Sequence, residues 1–106
     1  MPPDPATDQP TVRELIARLQ HPDYLMRLYA AIALGSLGEL ARPAVPALVR
    51  LLREGNVRDR KGAAWALKEL GAVAVEALPA LTAALADRSA AVRGMAAQAL
   101  KAIRAA

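Results

Sequence analysis

The stretch Ala63-Ala64-Trp65-Ala66-Leu67 recurs with one residue changed at residues 30–34, which read AAIAL, and at residues 96–100, which read AAQAL. Successive copies are 33 residues apart. A fixed period of this length is typical of repeat architectures, in which each copy is one supersecondary unit and neighbouring units stack to bury a shared core. The repeat therefore predicts how the chain folds before any single residue is interpreted.

The composition restricts the class of protein. Of the 106 residues, 55% are hydrophobic, 3% are aromatic and none is cysteine. Such a chain is expected to form one domain with an aliphatic core and to carry no disulfide or thiolate chemistry. The proline-rich residues 1–10 lack the pattern of a signal peptide and predict a flexible leader before a domain at 11–106. We expect a cytoplasmic protein that does not span a membrane, with a formal charge of +4 that permits an acidic partner.

Capping residues and helical spacing predict six helices paired into three hairpins. Thr11 with Glu14 forms a capping box, and Asp23, Asn56 and Ser89 stand one period apart as N-caps. The hairpins, named units one, two and three, are expected at residues 11–38, 43–71 and 73–104.

Two prolines share one column of the repeat, inside the first helices of units two and three. Pro46 and Pro79 are tolerated in the first turn of a helix but bend a helix further in. We therefore expect either a late start or a small bend in both helices.

The repeated motifs resemble those of HEAT-repeat proteins, in particular the short bacterial HEAT-like or phycobilisome-lyase-type repeats. The matching segments are Ala44-Val45-Pro46-Ala47-Leu48, Asp87, Val92-Arg93 and Leu67-Lys68-Glu69-Leu70-Gly71. The resemblance covers residues 11–104 and implies an all-α fold, an α-solenoid of three HEAT-like hairpins whose second helices line a partner-binding concave face. It does not fix the function, because the family contains scaffolds, lyases, hydroxylases and nucleic-acid-binding members.

One column of the repeat is arginine in all three units: Arg27, Arg60 and Arg93. The resemblance implies that these guanidinium groups bond to carboxylates or helix ends between neighbouring units. The nearby carboxylates are Asp23, Asp59 and Asp87. Anion binding by three stacked guanidinium groups is the alternative, although the planar fork of arginine suits carboxylates in structural roles.

Columns that agree in all three units are expected to form the core. Two of them are leucine columns, namely Leu15, Leu48 and Leu81, and Leu19, Leu52 and Leu85. Burial of one such leucine stabilises a fold by roughly 1.5–3 kcal/mol. Ala64 and Ala97 lie in small columns where helices approach closely, so leucine at either position is expected to overpack and cost about 1–3 kcal/mol.

Columns of the second helices that differ between units are expected to face solvent and to bind partners. The candidate protein-binding residues are Tyr29, Ile32, Lys61, Trp65, Lys68, Met95, Gln98 and Lys101. They combine an apolar centre with basic edges, and Trp and Tyr dominate the hot spots of protein interfaces. The alternative for Trp65 is that its ring fills a gap between units.

The second helix of unit one has an apolar excess, because Tyr24, Leu25 and Leu28 stand where units two and three carry polar or smaller residues. A terminal unit needs a polar outer face. We expect this patch to be covered either by the leader or by another protein molecule, so a homodimer is one possibility.

Chemistry-bearing motifs are missing, so we expect no enzyme, no cofactor and no metal site. His21 is the single histidine and stands in a turn, and the paired His-Glu motifs of iron-dependent hydroxylases do not occur. A bilin-lyase-like accessory role is a remote alternative without a residue signature. Nucleic-acid binding is the main alternative, through basic residues around the middle turn: Arg50, Arg53, Arg58, Arg60 and Lys61.

Overall fold

The computed structural model describes residues 9–105, and all regular structure in this range is helical. The α-helices are α1 (Val12–Arg18), α2 (Tyr24–Ser36), α3 (Val45–Glu54), α4 (Val57–Leu70), α5 (Leu78–Ala84) and α6 (Ala90–Arg104). Two 3-10 helices, Gly38–Ala44 and Gly71–Ala77, precede α3 and α5. The prediction of an all-α protein is confirmed. The leader predicted at residues 1–10 lies almost wholly outside the described residues.

Side-chain caps fix the start of four helices where the sequence predicts them. The Glu14 amide donates to Thr11 Oγ1 over 3.1 Å at α1, and the Leu25 amide donates to Asp23 at α2. At α4 the cap is reciprocal, because Asn56 and Asp59 each accept a hydrogen bond from the other's backbone amide. Equivalent capping by Ser89 at α6 completes the predicted column. Each such cap satisfies amides that have no partner within the helix.

The prolines delay the start of two helices, as one of the two expectations states. Pro46 and Pro79 lie in the first turns of α3 and α5, where a missing amide hydrogen costs nothing. The preceding chain, which the sequence assigns to the α-helices from about residues 43 and 73, forms the 3-10 helices instead. Gly38 and Gly71 enter these segments with φ of 57°, a left-handed conformation that favours glycine.

The helices pack in two layers, with the second helices of the hairpins in one of them. In that layer α4 contacts both α2 and α6, and each of α1, α3 and α5 packs on the second helix that follows it. The described chain measures 52 × 32 × 17 Å, which is flat and elongated. The shared core between the layers holds the column Leu15, Leu48 and Leu81, as predicted.

Two residues predicted to lie in the core are exposed on the outer side of unit three. Leu19 and Leu52 are buried, but Leu85 in the same column is 43% exposed. Ala64 is fully buried whereas Ala97 is exposed. Both predictions for unit three are therefore wrong, and the reason is the same. These columns are covered by the following unit of the stack, and within the described residues no unit follows unit three.

The arginine column links neighbouring units, as the resemblance implies. Arg27 Nε donates to Asp59 over 2.9 Å, from unit one to unit two. Arg60 holds Asp87 with two hydrogen bonds of 2.9 and 3.1 Å, and its third bond goes to the carbonyl of Gly55. These side chains are nearly buried, since Arg60 and Asp59 are each 8% exposed.

The three arginines share a column of backbone acceptors, because each donates to a carbonyl one period from the next, at Pro22, Gly55 and Arg88. They do not share a carboxylate acceptor. Arg93 donates to the carbonyls of Asp87 and Arg88 and has no carboxylate partner among the described residues. The carboxylate of Asp23, a predicted partner, accepts from the Leu25 amide that it caps and from no arginine among the described residues. Hydrogen bonds from Arg60 lower the pKa of Asp87 below its usual value, and Asp87 raises that of Arg60. Each arginine thus bonds to the turn before its own helix, and Arg27 and Arg60 also link neighbouring units.

Candidate functional site

A groove of about 480 Å³ lies on the layer of second helices, mainly between α2 and α4. All three units contribute to its lining: Tyr24, Leu28, Ile32, Arg58, Lys61, Gly62, Trp65 and Met95. This volume lies in the usual range for binding pockets, which is about 300–1,000 Å³. Most of the lining is apolar, so a partner would bury hydrocarbon against it.

Helical spacing brings the lining residues onto one surface. Leu28 and Ile32 are one turn apart on α2, and Lys61 and Trp65 are one turn apart on α4. Gly62 keeps the space between the two helices open, because a Cβ added there would meet only Cδ1 of Leu28, at 3.8 Å. The groove is therefore a joint between units that a larger residue would fill.

Trp65 serves both the packing and the groove. The side chain is half-buried, and a Cβ added at Gly35 of α2 would lie 3.2 Å from Cζ3 of Trp65. That edge of the indole fills space between units one and two, as one interpretation predicts. The residue also lines the groove, as the other interpretation requires. The two interpretations apply to different parts of one side chain.

Cations border the groove on α4. The Arg58 guanidinium carbon lies 5.2 Å from the centre of the Tyr24 ring, a geometry that permits a cation–π interaction of about 0.5–1 kcal/mol at an exposed site. Lys61 is exposed one turn further along. Among the described residues neither cation has a carboxylate within salt-bridge distance. No acidic residue lines the groove.

The structure brings together half of the predicted binding residues and two from the predicted association patch. The former are Ile32, Lys61, Trp65 and Met95, and the latter are Tyr24 and Leu28. The apolar excess of unit one is thus partly the wall of the groove. Leu25 lies outside it and is 50% exposed.

The other predicted binding residues lie outside the groove: Tyr29, Lys68, Gln98 and Lys101. Tyr29 occupies the same column as Gly62, and this column faces the preceding unit. Among the described residues no unit precedes unit one, so Tyr29 is 62% exposed. Lys68 and Lys101 share a column with Gly35, which is buried against α4. That column faces the following unit, so Gly35 is buried and Lys68 is half-buried, contrary to the predicted solvent-facing stripe. Lys101 is exposed, as predicted, because no unit follows unit three among the described residues.

Two lining residues, Arg58 and Gly62, are missing from the predicted protein-binding residues, although Arg58 belongs to the basic residues predicted for the nucleic-acid alternative. The sequence contains a signal for both. Arg58 is one residue past the column of Tyr24, and Gly62 shares the column of Tyr29 and Met95. Their part in the groove depends on how neighbouring units are offset, which the repeat period alone does not give.

The basic cluster predicted around the middle turn is divided by the fold. Arg50 pairs with Glu54 at 2.8 Å, and Arg60 pairs with Asp87 at 2.9 Å. Arg58 and Lys61 border the apolar groove, whereas Arg53 lines a separate depression near Asp87. These five residues do not form one basic face.

Metal-binding arrangements are not evident in the part of the chain that the structure describes. Within it, no group of three or more His, Asp, Glu or Cys side chains is placed to hold a metal ion. The ring of His21 accepts a hydrogen bond from the Asp23 amide over 3.0 Å, which matches its expected place in a turn. Each helix between residues 9 and 105 is too short or too polar to cross a lipid bilayer.

A family model described as HEAT repeats matches residues 12–101 of the chain. The match confirms the resemblance that the repeated motifs indicate, and it extends over all three units. No curated protein matches the chain in sequence.

Proposed function

Since the chain belongs to the HEAT-repeat family, we propose that it is a non-catalytic protein-interaction module: a short α-solenoid of three hairpins that binds a protein partner in the groove between α2 and α4. Members of this family commonly mediate protein interactions. The partner would contact the second helices, the concave face that the resemblance assigns to binding.

The observation that carries the proposal is the apolar groove with Trp65 in its wall. A tryptophan that is half-buried in the free protein can be fully buried by a partner, and residues of this kind dominate interface energies. The floor at Gly62 is open although glycine costs about 1 kcal/mol relative to alanine inside a helix. The glycine thus leaves this part of the groove open at a cost in helix propensity.

The test fills the groove without weakening the fold. Gly62→Leu places a side chain in the groove while improving helix propensity, so the variant is expected to be folded but unable to bind. Gly94→Leu is the matched control, because Gly94 is also inside a helix, has open space around it and does not line the groove. Partners captured from the native lysate by the parent chain and by Gly94→Leu should be lost with Gly62→Leu. Equal capture by all three proteins would refute the proposal.

Self-association is a second candidate function, favoured by exposed apolar residues of α2 outside the groove. Leu25 and Tyr29 are 50% and 62% exposed. Contact with a second copy of the chain would remove both from water. Sedimentation velocity should then show a concentration-dependent dimer that the Leu25→Ser/Tyr29→Ser variant does not form. A monodisperse monomer of the parent chain would contradict this candidate.

A further inference from the structure

We infer that the groove takes an acidic peptide segment in which one bulky apolar side chain is flanked by carboxylates. This inference rests on the proposed function and specifies the chemistry of the partner. It follows from the combination of an apolar wall, an open floor and a border that carries positive charge only.

The apolar wall provides the place for one large side chain. Leu28, Ile32, Trp65 and Met95 supply hydrocarbon, indole and thioether surfaces around the open position at Gly62. Methionine adapts its shape to different ligands, and the thioether contacts aromatic rings favourably. A leucine, isoleucine or phenylalanine of the partner would gain from burial in this space.

The charge of the border selects carboxylates. Arg58 and Lys61 are three residues apart on α4, so their side chains emerge on one side of the helix. Arginine, lysine and tryptophan carry hydrogen-bond donors only, and the groove has no carboxylate of its own. The contact of Arg58 with the Tyr24 ring leaves the guanidinium donors available to an incoming carboxylate. Opposite charge across such a border sets specificity and speeds association.

An acidic peptide fits this border better than a nucleic acid does. Binding to a phosphate backbone depends on several cations arranged along one surface. Here Arg50 and Arg60 are engaged by Glu54 and Asp87. The two cations that remain at the groove flank an apolar wall, which matches a side chain between carboxylates.

Peptide display tests the inference. A random peptide library is selected on the full chain and counter-selected on the Gly62→Leu variant. A second variant, Arg58→Glu/Lys61→Glu, reverses the charge at the border of the groove. Arg58 and Lys61 are exposed, so the reversed variant should fold, which its circular dichroism spectrum and melting temperature would verify. The most enriched peptide is then synthesised and titrated into each protein, together with a version in which lysine replaces every acidic residue.

The parent chain should enrich peptides with a large apolar residue between Asp or Glu residues. Their affinity should fall at least about tenfold, or about 1.4 kcal/mol, in the charge-reversed variant, which should instead prefer the lysine version. Salt should weaken both complexes. Peptides that depend on the groove but lack an acidic bias would overturn this inference and leave the proposed function intact. Failure to find any peptide sensitive to Gly62→Leu would overturn both, and tighter binding of a duplex DNA oligonucleotide, lost in the charge-reversed variant, would replace the peptide with a nucleic acid.

Discussion

At the scale of single residues, identical positions of the repeat do different work. Arg27 and Arg60 bond to carboxylates of the neighbouring unit, but Arg93 bonds only to backbone carbonyls. The side chain is repeated, whereas its acceptor is supplied by Asp59 in one case and by Asp87 in the other. The sequence predicted the role of the arginine column and named Asp59 and Asp87 as candidate partners, but it could not assign each carboxylate to its arginine, because the two come from different columns.

The difference within the arginine column predicts unequal stability effects. Arg60→Ala removes bonds to a nearly buried carboxylate and should lower the free energy of unfolding by about 1.5–3 kcal/mol. Arg93→Ala removes bonds to carbonyls at an exposed side chain and should cost at most about 0.5–1.5 kcal/mol. Urea denaturation of both variants measures the difference. Equal losses would show that the link between units two and three adds nothing beyond its backbone contacts.

The same link predicts a dependence on pH. Since Arg60 lowers the pKa of Asp87 in the folded protein, the ion pair stabilises the fold above the unfolded pKa of about 3.9 and loses this effect as pH falls through the lowered folded value. The stability difference between the parent chain and Asp87→Asn should therefore be constant near neutral pH and shrink below about pH 4. A difference that stays constant down to pH 2 would contradict the ion pair.

Gly55 is a position where close packing, rather than backbone conformation, requires glycine. A Cβ added there would lie 2.4 Å from Cβ of Asp59, the residue that completes the α4 cap and accepts from Arg27. Gly55→Ala should lower the melting temperature, with an overpacking cost of about 1–3 kcal/mol. Gly94→Ala, where nothing lies within 4 Å of the added Cβ, should raise it by improving helix propensity. An equal response of the two variants would contradict the close approach at Gly55.

At the scale of the elements, local rules predicted most of what the structure contains. The caps at Thr11, Asp23, Asn56 and Ser89 depend on neighbouring residues only, and all four are observed. The starts of α3 and α5 were harder to predict from the sequence, because the 3-10 helices before them continue the same apolar pattern. The sequence also could not predict which helix faces are buried by a neighbouring unit, since this depends on which unit lies alongside.

Coverage of helix faces gives a prediction for two equivalent alanines. Ala64→Leu enters a fully buried site between units and should cost about 1–3 kcal/mol. Ala97→Leu, at the exposed equivalent of α6, should change the free energy of unfolding by less than about 0.5 kcal/mol. Thermal unfolding followed by circular dichroism would compare them. A large loss at Ala97 would mean that this face is covered after all.

At the scale of the whole molecule, the groove arises from the offset between stacked units rather than from any one helix. The variable columns pointed to Ile32, Trp65 and Met95, which share the groove. They also pointed to Lys68 and Lys101, which do not line it. Lys68 lies in a column that faces the following unit, and Lys101 is exposed away from the groove, so variation between units does not by itself mark one binding surface. Tyr24 and Leu28, which the sequence marks as an apolar excess of unit one, belong to the same groove. That these residues line one groove becomes clear only from the packing of unit one against unit two.

The most direct measurement of the central claim uses Trp65, the single tryptophan of the chain. Its fluorescence is recorded during titration with a captured protein or a selected peptide, in the parent chain, Gly62→Leu and Gly94→Leu. Binding in the groove predicts a saturable shift of the emission maximum in the parent chain and in Gly94→Leu, and none in Gly62→Leu. Emission that stays unchanged while the partner binds, or equal binding by Gly62→Leu, would contradict a partner seated between α2 and α4.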